Sequence, residues 1–358
     1  MKITDRTILK EFIKFTILAL ICLVALYLII DLFEELSYFT RRKVEFAKVL
    51  LYYFFLTPQA VTLLLPVSLI LASFLVYGMM TRQRELYAYM SSGINVYRLF
   101  LPILSVAVIS IFASFLHREL VEIPFSVKLS DLKQYQIESR SRPDQLKRRN
   151  VYYIGETGMV YYIREYEASG ILRNFYVLEL DQNRMPVRRI DAVEAVFKDD
   201  IWQARDVYVR EFLEQEEKLS HYDSLILSEI KEKPDDFLTE ARKIEEISTR
   251  TLYRYLKRMK RAGEKVNKED VEFNFRFSDS FIGLIVILLA LPLSTRLRRG
   301  GVMLGLGLGL LFSFLYWGMI QVTKAFGYIG SLTPVLSAWL PNIIFALVAL
   351  FFWLRLKR

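Results

Sequence analysis

Residues Thr81–Gly93 read TRQRELYAYMSSG, a short charged segment set between two long apolar runs. The run before it is uncharged from Val49 to Met80, and the run after it resumes at Leu99. A chain patterned in this way leaves a membrane and re-enters it almost at once. Within the segment, Leu86, Tyr89, Met90 and Gly93 recur at helical spacing, while Arg82, Arg84 and Glu85 fall mostly off that face. Two readings follow. One is a short amphipathic helix laid against the membrane and open to a soluble partner; the other is a solvated loop whose charges obey the positive-inside rule.

Composition extends the membrane reading to the whole chain. The 358 residues are 53% hydrophobic and 24% charged, with a net charge of +9. That mixture requires apolar and polar material to be segregated, as in a membrane protein with a sizeable polar domain. Many of the Lys and Arg residues flank apolar runs, where orientation in a bilayer accounts for them, so the basic balance does not point to nucleic acid. Cys22 is the single cysteine and His117 and His221 the only histidines, which leaves no intramolecular disulfide, no thiolate cluster and no classical zinc site. The first apolar run follows Lys2, Arg6, Lys10 and Lys14 without a small-x-small cleavage site and reads as a retained anchor.

Six stretches have the length and hydropathy of spans: Phe12–Ile30, Pro58–Met80 with an interfacial or tilted approach over Phe46–Leu56, Leu99–Leu116, Ser278–Thr295, Val302–Val322 and Leu332–Leu354. Placing the N-terminus inside collects Lys2, Arg6, Lys10, Lys14, Arg82, Arg84, Arg98, Arg296, Arg298, Arg299, Arg355, Lys357 and Arg358 on the cytoplasmic side, against Asp5, Glu11 and Glu85. Both termini are then cytoplasmic, and the large segment between spans three and four lies across the membrane.

The expected domains are residues 1–116 with three spans and a coupling helix near 82–93, a polar domain at 117–277, and three more spans at 278–358. The polar segment carries short Tyr-, Val- and Ile-rich runs at 151–154, 159–163, 171–180, 192–197, 201–212 and 224–229. Turn signals separate them at Gly155–Gly158, Ser169-Gly170, Asp181–Asn183 and Asp199-Asp200. This spacing predicts an antiparallel sandwich, jelly roll or open barrel. A helical connector follows near 248–263, with Ser248 as N-cap, Leu252, Tyr255, Leu256 and Met259 on one face, and Gly263 at its close.

No catalytic constellation is present in the sequence. GGVMLGLGLG lacks the Lys and Ser/Thr of a phosphate loop, so any ATP would be used by a partner. No nucleophile elbow or metalloprotease helix occurs, and no cofactor is implied. Asp31, Glu34 and Glu35 at the outer end of span one read as helix-end polarity rather than acid/base machinery. Gly301, Gly305, Gly309 and Ser313 recur every four residues along span five, a face that admits another helix closely, as static packing or as a moving interface. Arg41, Arg42 and Lys43 run against the charge bias in an external loop, with Lys324 at the outer end of span five. They are either solvated cations or contacts for an anionic, phosphate-bearing lipid.

Taken together, this pattern resembles the LptF/LptG permease subunits of the bacterial lipopolysaccharide exporter. The likeness covers nearly the whole chain and is carried by LIIDLFEEL (28–36), LTPQAVTLLLPVSLILASFLVYGMMTRQRELYAYMSSGI (56–94), KPDDF (233–237) and LTPVLSAWLPNIIFALVALFFWLRLKR (332–358), with an ending that leans towards LptG. The resemblance implies an α-helical inner-membrane protein with six transmembrane helices and a β-rich, jellyroll-like periplasmic domain between helices three and four. It implies a transport subunit, not an enzyme, paired with a second LptF-like or LptG-like permease. Its other expected partners are a cytoplasmic ABC ATPase dimer of the LptB kind and jellyroll bridge proteins of the LptC and LptA kind.

The residue roles implied are Arg84, Glu85, Leu86, Tyr89, Met90 and Gly93 for ATPase coupling, with Glu85 at the acidic coupling position. Arg41, Arg42, Lys43 and Lys324 would meet lipid phosphates, and the glycine face of span five would serve a lateral gate. One departure is visible: relatives often carry a Lys and then a Pro where this chain has Arg276 and Ser280. The alternative reading is a membrane-anchored envelope scaffold whose β domain assembles partner proteins without transporting lipid.

Overall fold

The computed structural model describes residues 3–138, 148–155, 159–167, 170–181, 185–198, 200–212, 216–234, 237, 243–261, 265–295 and 301–356. Lys2, Arg296, Arg298, Arg299, Lys357, Arg358, Gly263 and several of the turn residues named above lie outside them. The chain divides into two compact units, one of Met1–Lys133 with Asn267–Arg358 and one of Gln134–Val266.

In the first unit, six helices among the described residues are long and apolar enough to cross a membrane: Ile3–Arg41, Phe46–Arg82, Val96–Ile137, Asn267–Ser294, Met303–Tyr328 and Pro334–Leu354, hereafter spans 1 to 6. Five of them outrun the apolar stretches that announce them. Span 1 has 39 residues, roughly 58 Å at 1.5 Å per residue, against about 30 Å of hydrocarbon. Its apolar run ends at Ile30, yet the helix continues to Arg41 because span 2 begins at Phe46 and pairs with the extension. Tyr53 donates to Asp31 at 3.1 Å and Phe39 meets Tyr52 edge-on at 5.4 Å. Residues Phe46–Leu56, expected as an interfacial or tilted approach, are the first turns of the same helix as the span. Span 3 continues beyond His117 through a π-helical stretch at Arg118–Glu122. Span 4 begins at Asn267, eleven residues before the expected Ser278, and tightens into a 3-10 turn at Asp279–Phe281.

Spans 2 and 4 form the centre of this unit. More than half of the apolar core of each is buried, 56% and 61%, against 6% for span 1 and 22% for span 5. Between apolar helices in a bilayer, close packing and internal hydrogen bonds replace the hydrophobic drive. Tyr77, fully buried, donates to the Leu99 carbonyl at 2.8 Å, and Trp353 Nε1 donates to the Leu288 carbonyl at 2.7 Å. Asn342 accepts from Tyr316 and donates to the Ser278 carbonyl at 2.8 Å, tying spans 5, 6 and 4 together.

The second unit holds a six-stranded antiparallel sheet in sequential order: β1 (Arg148–Ile154), β2 (Val160–Glu167), β3 (Ile171–Leu180), β4 (Pro186–Lys198), β5 (Ile201–Phe212) and β6 (Glu217–Leu227). Of the sandwich, jelly roll and open barrel that the spacing permits, the described strands make a single up-and-down sheet. Strands β4 and β6 start earlier than their apolar patterns because cross-strand charges extend them, with Glu211 opposite both Arg188 and Lys218.

The sheet carries a crease. Inward alternation runs Tyr161, Ile163 and then Tyr166, and in the following strands Leu172 then Phe175, Ile190 and Ala192 then Ala195, and Ala204 then Val207. Pairing steps over Arg164 with Asn174 and over Val193 with Asp206 without changing register. Asn174 and Asp206 stand at φ 49° and 52°, the left-handed region that short polar side chains tolerate.

Above the buried face, Phe237 packs 4.8 Å from Tyr153, Tyr166 donates to the Pro234 carbonyl and Trp202 to the Glu232 carbonyl, each at 2.8 Å. The KPDDF motif thus supplies the cover of the aromatic interior. The connector is the helix Thr249–Arg261, where the Thr251 amide donates to Ser248 Oγ at 3.2 Å and Leu252 and Leu256 are buried.

Candidate functional site

Two polar features of the helical unit face opposite demands. The first is the segment between spans 2 and 3, which folds as a short helix, Glu85–Ser91. Arg84 at φ 62° and Gly93 at φ 82° turn the chain into and out of it. Leu86 is 3% exposed within the apolar core of the spans, with Tyr89 and Met90 packed beside it. Arg82, Gln83, Arg84 and Glu85 are exposed. The segment is thus helical, with Leu86 turned into the core of the spans and its charges outward. The Asn95 side chain caps the start of span 3, and three residues on Arg98 pairs with Asp5 of span 1 at 2.8 Å. The short helix, span 3 and the beginning of span 1 thus meet at one end of the bundle.

The second feature is a cavity of about 690 Å³ within the same unit, bounded by spans 1 to 5. Its volume suits a small molecule or part of a larger lipid. Leu65, Val67, Val286, Leu310 and Phe314 supply apolar wall, while His117, Arg118, Glu122, Asp279 and Lys324 supply charge and polarity. The π-helical stretch after His117 places Arg118 and Glu122, since widening of a helix re-aims the side chains around it. Thr62 donates to Glu122 at 2.6 Å and lies 3.2 Å from His117 Nδ1. With the proton assigned to Nδ1, His117 donates to Thr62 and the hydroxyl proton remains for Glu122.

The cations of this cavity are half-buried and paired. Arg118 Nη1 lies 3.0 Å from Asp279, and both side chains are less than a third exposed. Lys324 Nζ lies 3.1 and 3.2 Å from the two oxygens of Glu272, which also accepts from Tyr328. The ammonium is 4.8 Å from the Phe275 ring. Glu272 is 6% exposed and lies outside the cavity lining, whereas Lys324 is in it. The carboxylate therefore holds the ammonium from behind the wall. Arg276, 2% exposed, lies within electrostatic reach of Arg118, Glu119, Glu122 and Glu272, and its carbonyl accepts from Ser280 at 3.3 Å. Of the two residues that depart from the resemblance, Ser280 thus lies in the 3-10 turn of span 4 and Arg276 in the helical turn before it.

Of the cations expected to meet phosphate, Lys324 lines the cavity, and Arg41, Arg42 and Lys43 are exposed at the turn between spans 1 and 2. Arg42 lies over the Tyr38 ring at 4.9 Å, and Lys43 takes a positive φ of 51°. Gly305 and Gly309 are buried; a Cβ on Gly309 would come within 3.2 Å of Leu71 and 3.3 Å of Phe74, so this face packs on span 2 of the same chain. Ser313 donates to the Gly309 carbonyl at 2.8 Å and also lines the cavity, and Gly301 begins the helix. Arg118, Glu272 and Asp279 had no sequence signal of their own. They flank expected domain boundaries, and their partners are distant in sequence. Among the described residues no group of His, Cys, Asp and Glu is arranged to hold a metal ion.

Comparison with known families places the chain. The model of the lipopolysaccharide export system permease LptF/LptG matches residues 6–355, and the chain belongs to that family. No curated protein matches it.

Proposed function

We propose that this chain is one permease half of an ATP-driven exporter that takes lipopolysaccharide from the outer leaflet of the bacterial inner membrane. A second LptF-like or LptG-like subunit completes the pair, and an ATPase dimer docks on the Arg84–Gly93 region, with Glu85 at the contact. The β unit passes the lipid to periplasmic jellyroll proteins. The observation that carries the reading is the cavity, apolar along most of its wall and bearing Arg118 and Lys324, because that distribution suits a lipid with an anionic head. The low burial of spans 1 and 5 supports it further: their faces require lipid or another subunit, as the walls of a lateral gate would.

The test is reconstitution of the chain with its permease and ATPase partners in vesicles. Wild type is expected to release lipopolysaccharide in an ATP-dependent manner to a soluble acceptor. Glu85→Lys is expected to insert normally and to stop release while the ATPase still binds nucleotide. Undiminished release by that variant removes the coupling assignment. A chain that copurifies with envelope proteins, but with no ATPase or second permease, favours the scaffold instead.

A further inference from the structure

Resting on that reading of the cavity, we propose that Glu272 is a built-in competitor for Lys324 that selects lipids bearing a phosphate monoester over lipids bearing a phosphate diester. The geometry that points to it is the position of one cation between two environments. Lys324 lines the cavity, yet its ammonium is turned to both oxygens of Glu272 at 3.1 and 3.2 Å. An incoming anion does not meet an idle cation; it has to replace a carboxylate already in place.

Charge decides which anions succeed. A phosphate monoester carries about −1.5 to −2 near neutral pH with three acceptor oxygens, whereas a carboxylate carries −1 with two. A dianionic head gains more from Lys324 than Glu272 does, and the neighbouring Arg118 can join it. A phosphodiester carries a single charge, matches the carboxylate and gains nothing by exchange. The competitor thereby raises specificity by disfavouring the wrong ligand. Displaced Glu272 retains Tyr328, whose hydroxyl already donates to it. Asp279, 3.0 Å from Arg118 and in the cavity wall, stands in the same relation to that cation.

The test uses the purified full chain in detergent, titrated with phosphatidic acid or with phosphatidylglycerol of the same acyl composition, and bound lipid counted by native mass spectrometry. Wild type is expected to prefer the monoester by about tenfold, a difference in the range that charge complementarity supplies. Glu272→Gln, nearly isosteric and still able to accept from Tyr328, is expected to gain affinity for phosphatidylglycerol and lose most of the preference. Glu272→Asp retains the charge and should retain the preference, and Lys324→Gln should weaken phosphatidic acid most. Equal affinity of wild type for the two lipids, or an undiminished preference in Glu272→Gln, overturns the exchange alone. Binding of neither lipid to wild type overturns the cavity reading beneath it as well.

Discussion

Among the described residues a glutamate is buried twice, once in each unit, and each accepts from a tyrosine. Glu232 in the β unit is 4% exposed and accepts from Tyr161 at 2.6 Å, while Glu272 in the helical unit is 6% exposed and accepts from Tyr328. The surroundings separate them. Glu232 sits in a segment whose carbonyl accepts from Trp202 and which leads into the Phe237 cover, so it belongs to the closure of a core. Glu272 is bonded to a cation that lines a cavity, so a ligand of its partner can compete with it. Burial alone does not distinguish a closing group from an exchangeable one. What distinguishes them is whether the partner also faces open space.

The largest effect is expected from Lys324→Leu. It leaves Glu272 buried without its cation and should cost about 3–5 kcal/mol, the usual range for half of a buried pair, somewhat lessened by the 20% exposure of the Lys324 side chain. Thermal unfolding in detergent measures it; a loss under about 1 kcal/mol means that the pair contributes little and that Glu272 is solvated.

Next in size is Tyr161→Phe, which removes a neutral donor from a buried carboxylate at about 1–3 kcal/mol. Denaturant unfolding followed through Trp202 fluorescence reports it. Loss of the packing around Phe237 beyond that amount makes Glu232 more than a closing group.

A comparable or smaller effect is expected from Gly327→Ala beside Tyr328. The added Cβ would lie 2.6 Å from Ser337 Oγ and 2.7 Å from Val271 Cγ2, an overpacking of about 1–3 kcal/mol partly offset by better helix propensity. Gly318, where a Cβ meets nothing within 4 Å, is the control in the same helix and should gain stability as Ala.

Alkaline titration gives a subtler contrast. Burial first, and then the Glu232 charge, raise the Tyr161 phenol above its ordinary value. A group whose pKa is raised on folding contributes stability that is complete below the unfolded value and is lost as pH climbs towards the folded one. The β unit should therefore lose stability above about pH 10, and Tyr161→Phe should lessen the slope. An unchanged slope assigns the loss to other tyrosines.

The smallest effect on stability belongs to a third glutamate, Glu85, which is exposed; Glu85→Lys should change unfolding by no more than about 0.5 kcal/mol. A larger loss would show that Glu85 supports the fold, and coupling assays on that variant would then need a second substitution.

The six spans were legible because continuous hydropathy needs no partner to be read, and Leu86, Tyr89 and Met90 because helical spacing is local. Strands β3 and β5 were read to the residue from their alternation and turn signals, and membership of the permease family from quoted stretches that run the length of the chain. The ends of the spans were not legible. Asp31 continues span 1 because Tyr53 of the next helix receives it, and Asn267–Phe277 continue into span 4 because charges that look solvated in sequence are paired across 52 residues, as Lys324 is with Glu272. The crease escaped for a related reason. Asn174 and Asp206 sit inside runs that alternate on either side of them, and a skip in phase shows only once neighbouring strands are aligned.

That crease constrains how the domain can change in length. Each strand switches the face of its side chains at the same level as its neighbours, while the register on both sides stays fixed. Inserting or deleting one residue near the crease of a single strand would send half of that strand's inward aromatics to the outside, and no neighbour would shift to meet them. Such a step survives only if the neighbouring strands move at once. Lineages descending from this sequence should therefore vary in their turns and in the identity of individual strand residues, while the number of residues from each strand's start to its switch point is inherited as a block.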